Sequence, residues 1–131
     1  MSEDLDRVKG YLLDLGLSIV AGNEAEELVV VDDEDSGIKQ LVIDCEAPIV
    51  VLEQLIAEVP ADPGQLFVRL LQMNNTLVHG AFVLDEDARR IFYRDTLQAA
   101  NLDLNELEGS IRALSLALAE YGDELLSLLK R

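Results

Sequence analysis

The sequence has no tryptophan, one cysteine, one histidine and three prolines among 131 residues. A lone Cys45 excludes an internal disulfide and fits a reducing compartment. One histidine, His79, beside one cysteine cannot assemble the nitrogen and sulfur ligands of a zinc site. The eight glycines form no dinucleotide fingerprint, phosphate-binding loop or nucleophile elbow. Bases are also scarce, with 10 Lys and Arg against 26 Asp and Glu and a net charge of −16. Such a surface repels phosphate, so nucleic acid and anionic membrane are excluded as partners. The longest apolar run, Ala47–Leu52, falls far short of the ~18–20 residues of a transmembrane helix. The opening Met1-Ser2-Glu3-Asp4 is acidic and lacks the apolar core of a signal peptide. A cytoplasmic protein is the expectation.

Half of the chain is apolar, which argues against disorder despite the charge. The length suits a single domain over residues 1–131. Charge is uneven: residues 1–35 carry 11 acids and two bases, more than half of the excess.

Leu5, Val8, Leu12 and Leu15 predict a helix over about 3–15, capped by Ser2 and ended at Gly16. Leu17–Val20 reads as a brief strand. Leu28–Val31 and Ile38–Cys45 read as a hairpin around the turn Asp32–Gly37, with Leu41, Ile43 and Cys45 on one face. Pro48–Val59 fits either a helix, aligning Ile49, Leu52, Leu55, Ile56 and Val59, or a strand, aligning Ile49, Val51, Leu55 and Val59 with Glu53 as the flaw. Asp62, Pro63 and Gln65 predict the start of a helix that buries Leu66, Phe67, Leu70, Leu71 and Met73 and closes at Asn74-Asn75. A second hairpin, Gly80–Leu84 and Ile91–Leu97, turns through Asp85–Ala88. Asp103 and Glu106 then open a long helix with apolar residues from Leu104 to Leu128 at three–four spacing, widened by Leu116, Ala117, Leu126 and Leu129.

Few residues are candidates for chemistry. His79 lacks partners and reads as a surface or structural residue. Cys45 lies between Asp44 and Glu46, which disfavour a thiolate. Asp32–Gly37 begins like a calcium loop, yet its twelfth position is Ile43 where a bidentate Glu is required. Arg89, Arg90 and Arg94 balance the acidic turn of their own hairpin. No carboxylate pair stands out from 26 acids as a glycosidase-like couple. Catalytic, cofactor and metal sites are therefore expected to be absent, and an apolar excess remains for a partner or for self-association.

The run Leu66–Leu97, LFVRLLQMNNTLVHGAFVLDEDARRIFYRDTL, resembles the YbjN and type III secretion (Tir) chaperone-like families. The shared pattern is a helix ending in Leu-Leu-x-x-Asn (Leu70–Asn74), a glycine-containing strand (Gly80–Leu84), an acidic turn and return strand, and a leucine-rich last helix (Leu102–Leu129). The resemblance implies an α+β domain with helices packed on a curved antiparallel sheet, in the order α-β-β-β-α-β-β-α. It assigns Ile49–Ala57 to the third strand. It implies a non-enzymatic, commonly dimeric protein without cofactor, whose partner is a protein segment held along apolar patches without ATP. Phe67, Leu70, Leu71 and Phe82 are the implied dimer or partner surface. A YbjN-like regulatory or stress adaptor is the alternative, and a carboxylate- or divalent-ion-dependent enzyme a third reading.

Overall fold

The computed structural model describes residues 3–130, so the Ser2 cap lies outside the described residues. Helix α1 (Glu3–Asp14) buries Leu5, Val8 and Leu12, the stripe that its spacing predicts. Four strands follow: β1 (Ser18–Asn23), β2 (Leu28–Asp33), β3 (Ile38–Glu46) and β4 (Ile49–Glu58). Helix α2 (Leu66–Asn74), strands β5 (Ala81–Leu84) and β6 (Arg90–Gln98), and helix α3 (Leu104–Leu129) complete the chain.

The strands form one antiparallel sheet in the order β1-β2-β3-β4-β6-β5. Alternation sets its two faces. Val29, Ile43 and Leu52 lie side by side in register, as do Gln54, Tyr93 and Phe82. The apolar members of these rows merge with the buried stripes of all three helices into a single core, with Gln54 as a buried polar residue among them. The helices therefore cover one face and leave the other uncovered. The fold is α+β with packed helices on an open antiparallel sheet, as expected, but four strands and not three precede α2: the brief strand at Leu17–Val20 becomes a full edge strand, β1, which makes Ile49–Glu58 the fourth.

Residues 49–58 form a strand, and the helical alternative fails. β4 is central, pairing with β3 on one side and β6 on the other. A strand apolar on both faces satisfies helical and strand periods together, which is why its pattern was ambiguous. Its core face is Val50, Leu52 and Gln54. Ile49, Val51, Glu53 and Leu55 share the uncovered face, where Glu53 meets Arg94 across the ladder at 3.7 Å.

Two local expectations are corrected. The helix expected from Asp62 starts at Leu66, and its N-cap Gln65 makes no side-chain cap bond. Gly64 adopts φ +53°, which breaks helical continuity, while Asp62 Oδ1 accepts from the Gly64 amide in a tight turn. In α3, Leu116 and Leu126 face solvent instead of widening the buried stripe, which runs through Leu107, Ile111, Leu114, Ala117 and Leu125. The Asp103 cap forms as expected, accepting from the Glu106 amide at 2.8 Å.

Candidate partner-binding surfaces

The implied surface residues separate. Leu70 and Phe82 are each 4% exposed and belong to the core. Phe67 is half-buried against that core, and only Leu71, at 72% exposure, projects outward. Their α2 register explains the split: Leu66, Leu70 and Met73 form the buried stripe, so Val68 and Leu71 occupy the opposite side at i,i+3 spacing. Val78, in the loop after α2, is 88% exposed. The middle of α2 is tied to α3, where Arg69 makes a bidentate pair with Glu124 at 2.5 and 2.8 Å.

Asn74, which closes α2, has a second task. Its side-chain amide donates to the Phe82 carbonyl at 3.0 Å and accepts from the Phe82 amide at 2.8 Å. Phe82 is paired in register with Tyr93 on β6, so these bonds occupy the outer edge of β5 as a neighbouring strand would. One edge of the sheet is thus plugged by a side chain. The other edge, β1, pairs only with β2, and among the described residues no side chain bonds to its backbone. Five of its six residues are exposed. A free ladder edge of this kind is a template for an added strand.

The uncovered face has its own structure. β3 and β4 pair only from Val42–Glu53 to Glu46–Ile49, and beyond Val42 they part. The Gln54 amide bridges the gap, accepting from the Lys39 amide at 2.9 Å and donating to the Gly37 carbonyl at 3.2 Å. The parting leaves a cleft of about 540 Å³ whose lining is mixed, with Val42, Leu55, Ile56, Phe92 and Leu118 beside Lys39, Gln40 and Glu53. Two residues along β3, Asp44 is flanked on the same face by Leu28 of β2 and Val51 of β4. Val51 is 6% exposed although it is no part of the core, so side chains on this face shelter one another. One Asp44 oxygen, Oδ1, is enclosed and has no hydrogen-bond partner. Burial, and then the charges of Glu46, Glu26 and Glu27, push the Asp44 carboxyl above the usual carboxylate range.

The remaining candidates are structural. His79 is exposed, and its carbonyl accepts from the buried Tyr93 hydroxyl at 2.6 Å. Cys45 is buried, and desolvation together with Asp4, Glu27 and Asp44 pushes its thiol up to about 11. The backbone amides of Arg89 and Arg90 donate to Asp85, which closes the turn and holds its carboxyl below the usual range, while Arg94 reaches Glu53 instead. Among the described residues no group of three His, Cys, Asp or Glu side chains is placed to hold a metal. No helix among them is long and apolar enough to cross a membrane.

The CesT_Tir_1 family model matches residues 1–131. The chain belongs to this family. No curated protein matches the sequence. Among solved structures, YbjN from E. coli superposes with a TM-score of 0.70 at 16% identity, over 92% of each chain. A chain of the heterodimeric ExoU–SpcU complex, from the type III secretion system of Pseudomonas aeruginosa, gives 0.66 at 18% identity, over 94% of this chain and 98% of that one. A chain of the HopA1–SchA chaperone–effector complex gives 0.63 at 12% identity, over 87% and 89%. At these identities the likeness to solved structures establishes the fold. In this CesT_Tir_1 member, the Asn of the Leu-Leu-x-x-Asn phrase is the residue that closes the β5 edge, a role that its place at a helix end did not disclose.

Proposed function

We propose that this protein is a non-enzymatic, cytoplasmic, homodimeric binding module that holds an extended apolar segment of another protein. The asymmetry of the sheet edges carries the reading: β5 is plugged by Asn74 whereas β1 offers an unpaired ladder. A partner strand added at β1 gains main-chain hydrogen bonds, with side-chain specificity supplied by alternate positions. The family and the effector complexes among its structural neighbours support a protein partner. For the dimer, the exposed stripe of Val68 and Leu71 beside Phe67 offers the apolar surface, in a segment whose single charge, Arg69, is already paired.

The test is co-purification from the source cells followed by hydrogen exchange on the complex. Strand addition predicts new protection at residues 18–23. Recovery of the protein alone refutes the binding reading, and a complex without protection at 18–23 refutes strand addition. A YbjN-like adaptor for a folded partner would protect other surfaces and leave β1 unchanged. Light scattering decides the dimer, which is refuted by a particle of 14.5 kDa at micromolar concentration.

A further inference from the structure

Main-chain hydrogen bonds carry no sequence information, and along its length the β1 edge adds little to them. Its side chains are mostly small, and a register shift between Ile19 and Ala21 leaves Val20 bulged out of the regular ladder. The two ends of the strand are different. At the Asn23 end, the turn to β2 carries Glu24, Glu26 and Glu27. Lys9 pairs there with Glu24 at 3.4 Å, while Glu26 and Glu27 make no ion pair among the described residues. At the Ser18 end stands Asp32, its partner in register, with Asp33, Glu34 and Asp35 beyond it. Helix α1 ends just before Ser18 at Asp14, without a basic residue in its last turn, so the negative end of its dipole is unopposed. Two cations belong to this end. Arg112 shares a groove with Asp33 but pairs with Glu108 at 3.2 Å, and Lys39 stands on β3. Carboxylates therefore outnumber cations at both ends of β1.

We propose that the β1 edge selects a short partner strand with a lysine or arginine at each end, since either direction of pairing sets both ends of that strand beside an acidic turn. The inference rests on strand addition at β1 and names the chemistry of the strand. An added strand lies about 4.8 Å outside β1, and β2 lies a similar distance inside it. A long cationic side chain and a carboxylate close that gap between them. The same arrangement rejects a second copy of the chain. Parallel pairing of two β1 strands sets Glu24, Glu26 and Glu27 against their own copies. Antiparallel pairing sets them against Asp32, Asp33 and Asp35 of the other molecule. A strand with cationic ends meets opposite charge in both directions.

The test uses fluorescein-labelled peptides, with anisotropy for affinity and hydrogen exchange for the site. The first is Lys-Ser-Thr-Val-Thr-Val-Thr-Ser-Lys, and the second has Gln at both ends instead. The third, Ser-Thr-Val-Lys-Thr-Lys-Val-Thr-Ser, has the composition and charge of the first with its lysines in the middle, which separates placement from general attraction to an acidic protein. At about 0.15 M salt, where screening confines the effect to near charges, the first peptide should protect residues 18–23. It should also bind at least about fivefold more tightly than either of the others. Glu24→Lys combined with Glu26→Lys should shift the preference to a peptide with Lys at one end and Glu at the other, a reversal that a misfolded variant cannot show. Equal affinity for the three peptides, each protecting 18–23, or tighter binding of the third, overturns this inference and leaves strand addition standing. No protection at 18–23 by any peptide overturns it too, and strand addition falls with it if the co-purified complex also lacks that protection. Protection of 18–23 that rises with concentration in the free protein assigns the edge to a second copy and overturns both.

Discussion

Replacing Asn74 by Ala removes a donor and an acceptor from the outer edge of β5 at once. The bonds measure 3.0 and 2.8 Å, and both reach the backbone of Phe82, whose side chain is in the core. A net value of ~1 kcal/mol for each ordinary hydrogen bond puts the loss at about 2 kcal/mol. For a domain of this size that corresponds to a fall in Tm of roughly 6–10 °C. Urea unfolding followed by circular dichroism measures it, and the midpoint should fall without a change in slope. Asn74→Asp sharpens the test: it keeps an acceptor for the Phe82 amide but sets a carboxylate against the Phe82 carbonyl, so the aspartate should not restore stability. Amide exchange reads the mechanism directly. The Phe82 amide points away from β6, yet it should exchange slowly in the wild type and rapidly in Asn74→Ala. A loss below about 0.5 kcal/mol, or unchanged protection at Phe82, would refute the claim that a side chain stands in for a strand.

Gly80→Ala meets two obstacles, since Gly80 has φ +69° and a Cβ there would lie 2.3 Å from the hydroxyl of buried Tyr93. Left-handed backbone costs ~1–2 kcal/mol and overpacking ~1–3, so urea unfolding should show a loss of about 2–5 kcal/mol. Gly122→Ala, in a helix with nothing within 4 Å, should instead stabilise by roughly 0.5–1 kcal/mol. Cys45 should resist iodoacetamide at pH 8 in the native state and react promptly in urea, because its thiol is buried and ionises only near pH 11. Asp44 gives a pH signature. Its folded carboxyl is raised above the unfolded value, so its contribution to stability is fully present below the unfolded range and is lost as pH rises through the folded one. Asp44→Asn should therefore be more stable than the wild type at pH 7, and the difference should vanish at pH 3 in parallel thermal melts.

The elements that sequence reading located were those whose signals are local. Asp103 and Glu106 sit three apart and cap α3, and the β5–β6 hairpin lies on either side of its acidic turn. The errors arose where a distant partner decides. Glu53 looked like a flaw in an apolar strand because its counter-ion, Arg94, is 41 residues away. Gln54 occupies the core face because two backbone groups near Gly37 satisfy it. Asp62-Pro63 carried a helix-start signature, but Gly64 in the left-handed region overrode it. Of the implied surface residues, Leu70 and Phe82 matched an apolar pattern that says nothing about which apolar side chains face a core and which face a partner. The β1 edge and the β3–β4 cleft were not legible, because both are defined by where pairing stops.

A protein that leaves a ladder edge and an apolar sheet face open must avoid capturing itself. Here the distribution of charge decides which contacts between copies are permitted. The β1 edge is followed directly by Glu24, Glu26 and Glu27, so parallel pairing of two β1 strands would bring these acids together. The uncovered face holds Asp44, Glu46 and Glu53 around one arginine, Arg94, which is already paired with Glu53, so carboxylates outnumber cations there. The exposed side of α2 lies in the stretch 65–75, which contains Arg69 alone among charged residues, and that arginine is committed to Glu124. Self-association is therefore least opposed at α2, and the edge and face remain for a chain of different charge. The acidity concentrated in the first 35 residues thus lies beside the edge where strand addition is available, opposing parallel self-pairing and favouring a partner that brings cations.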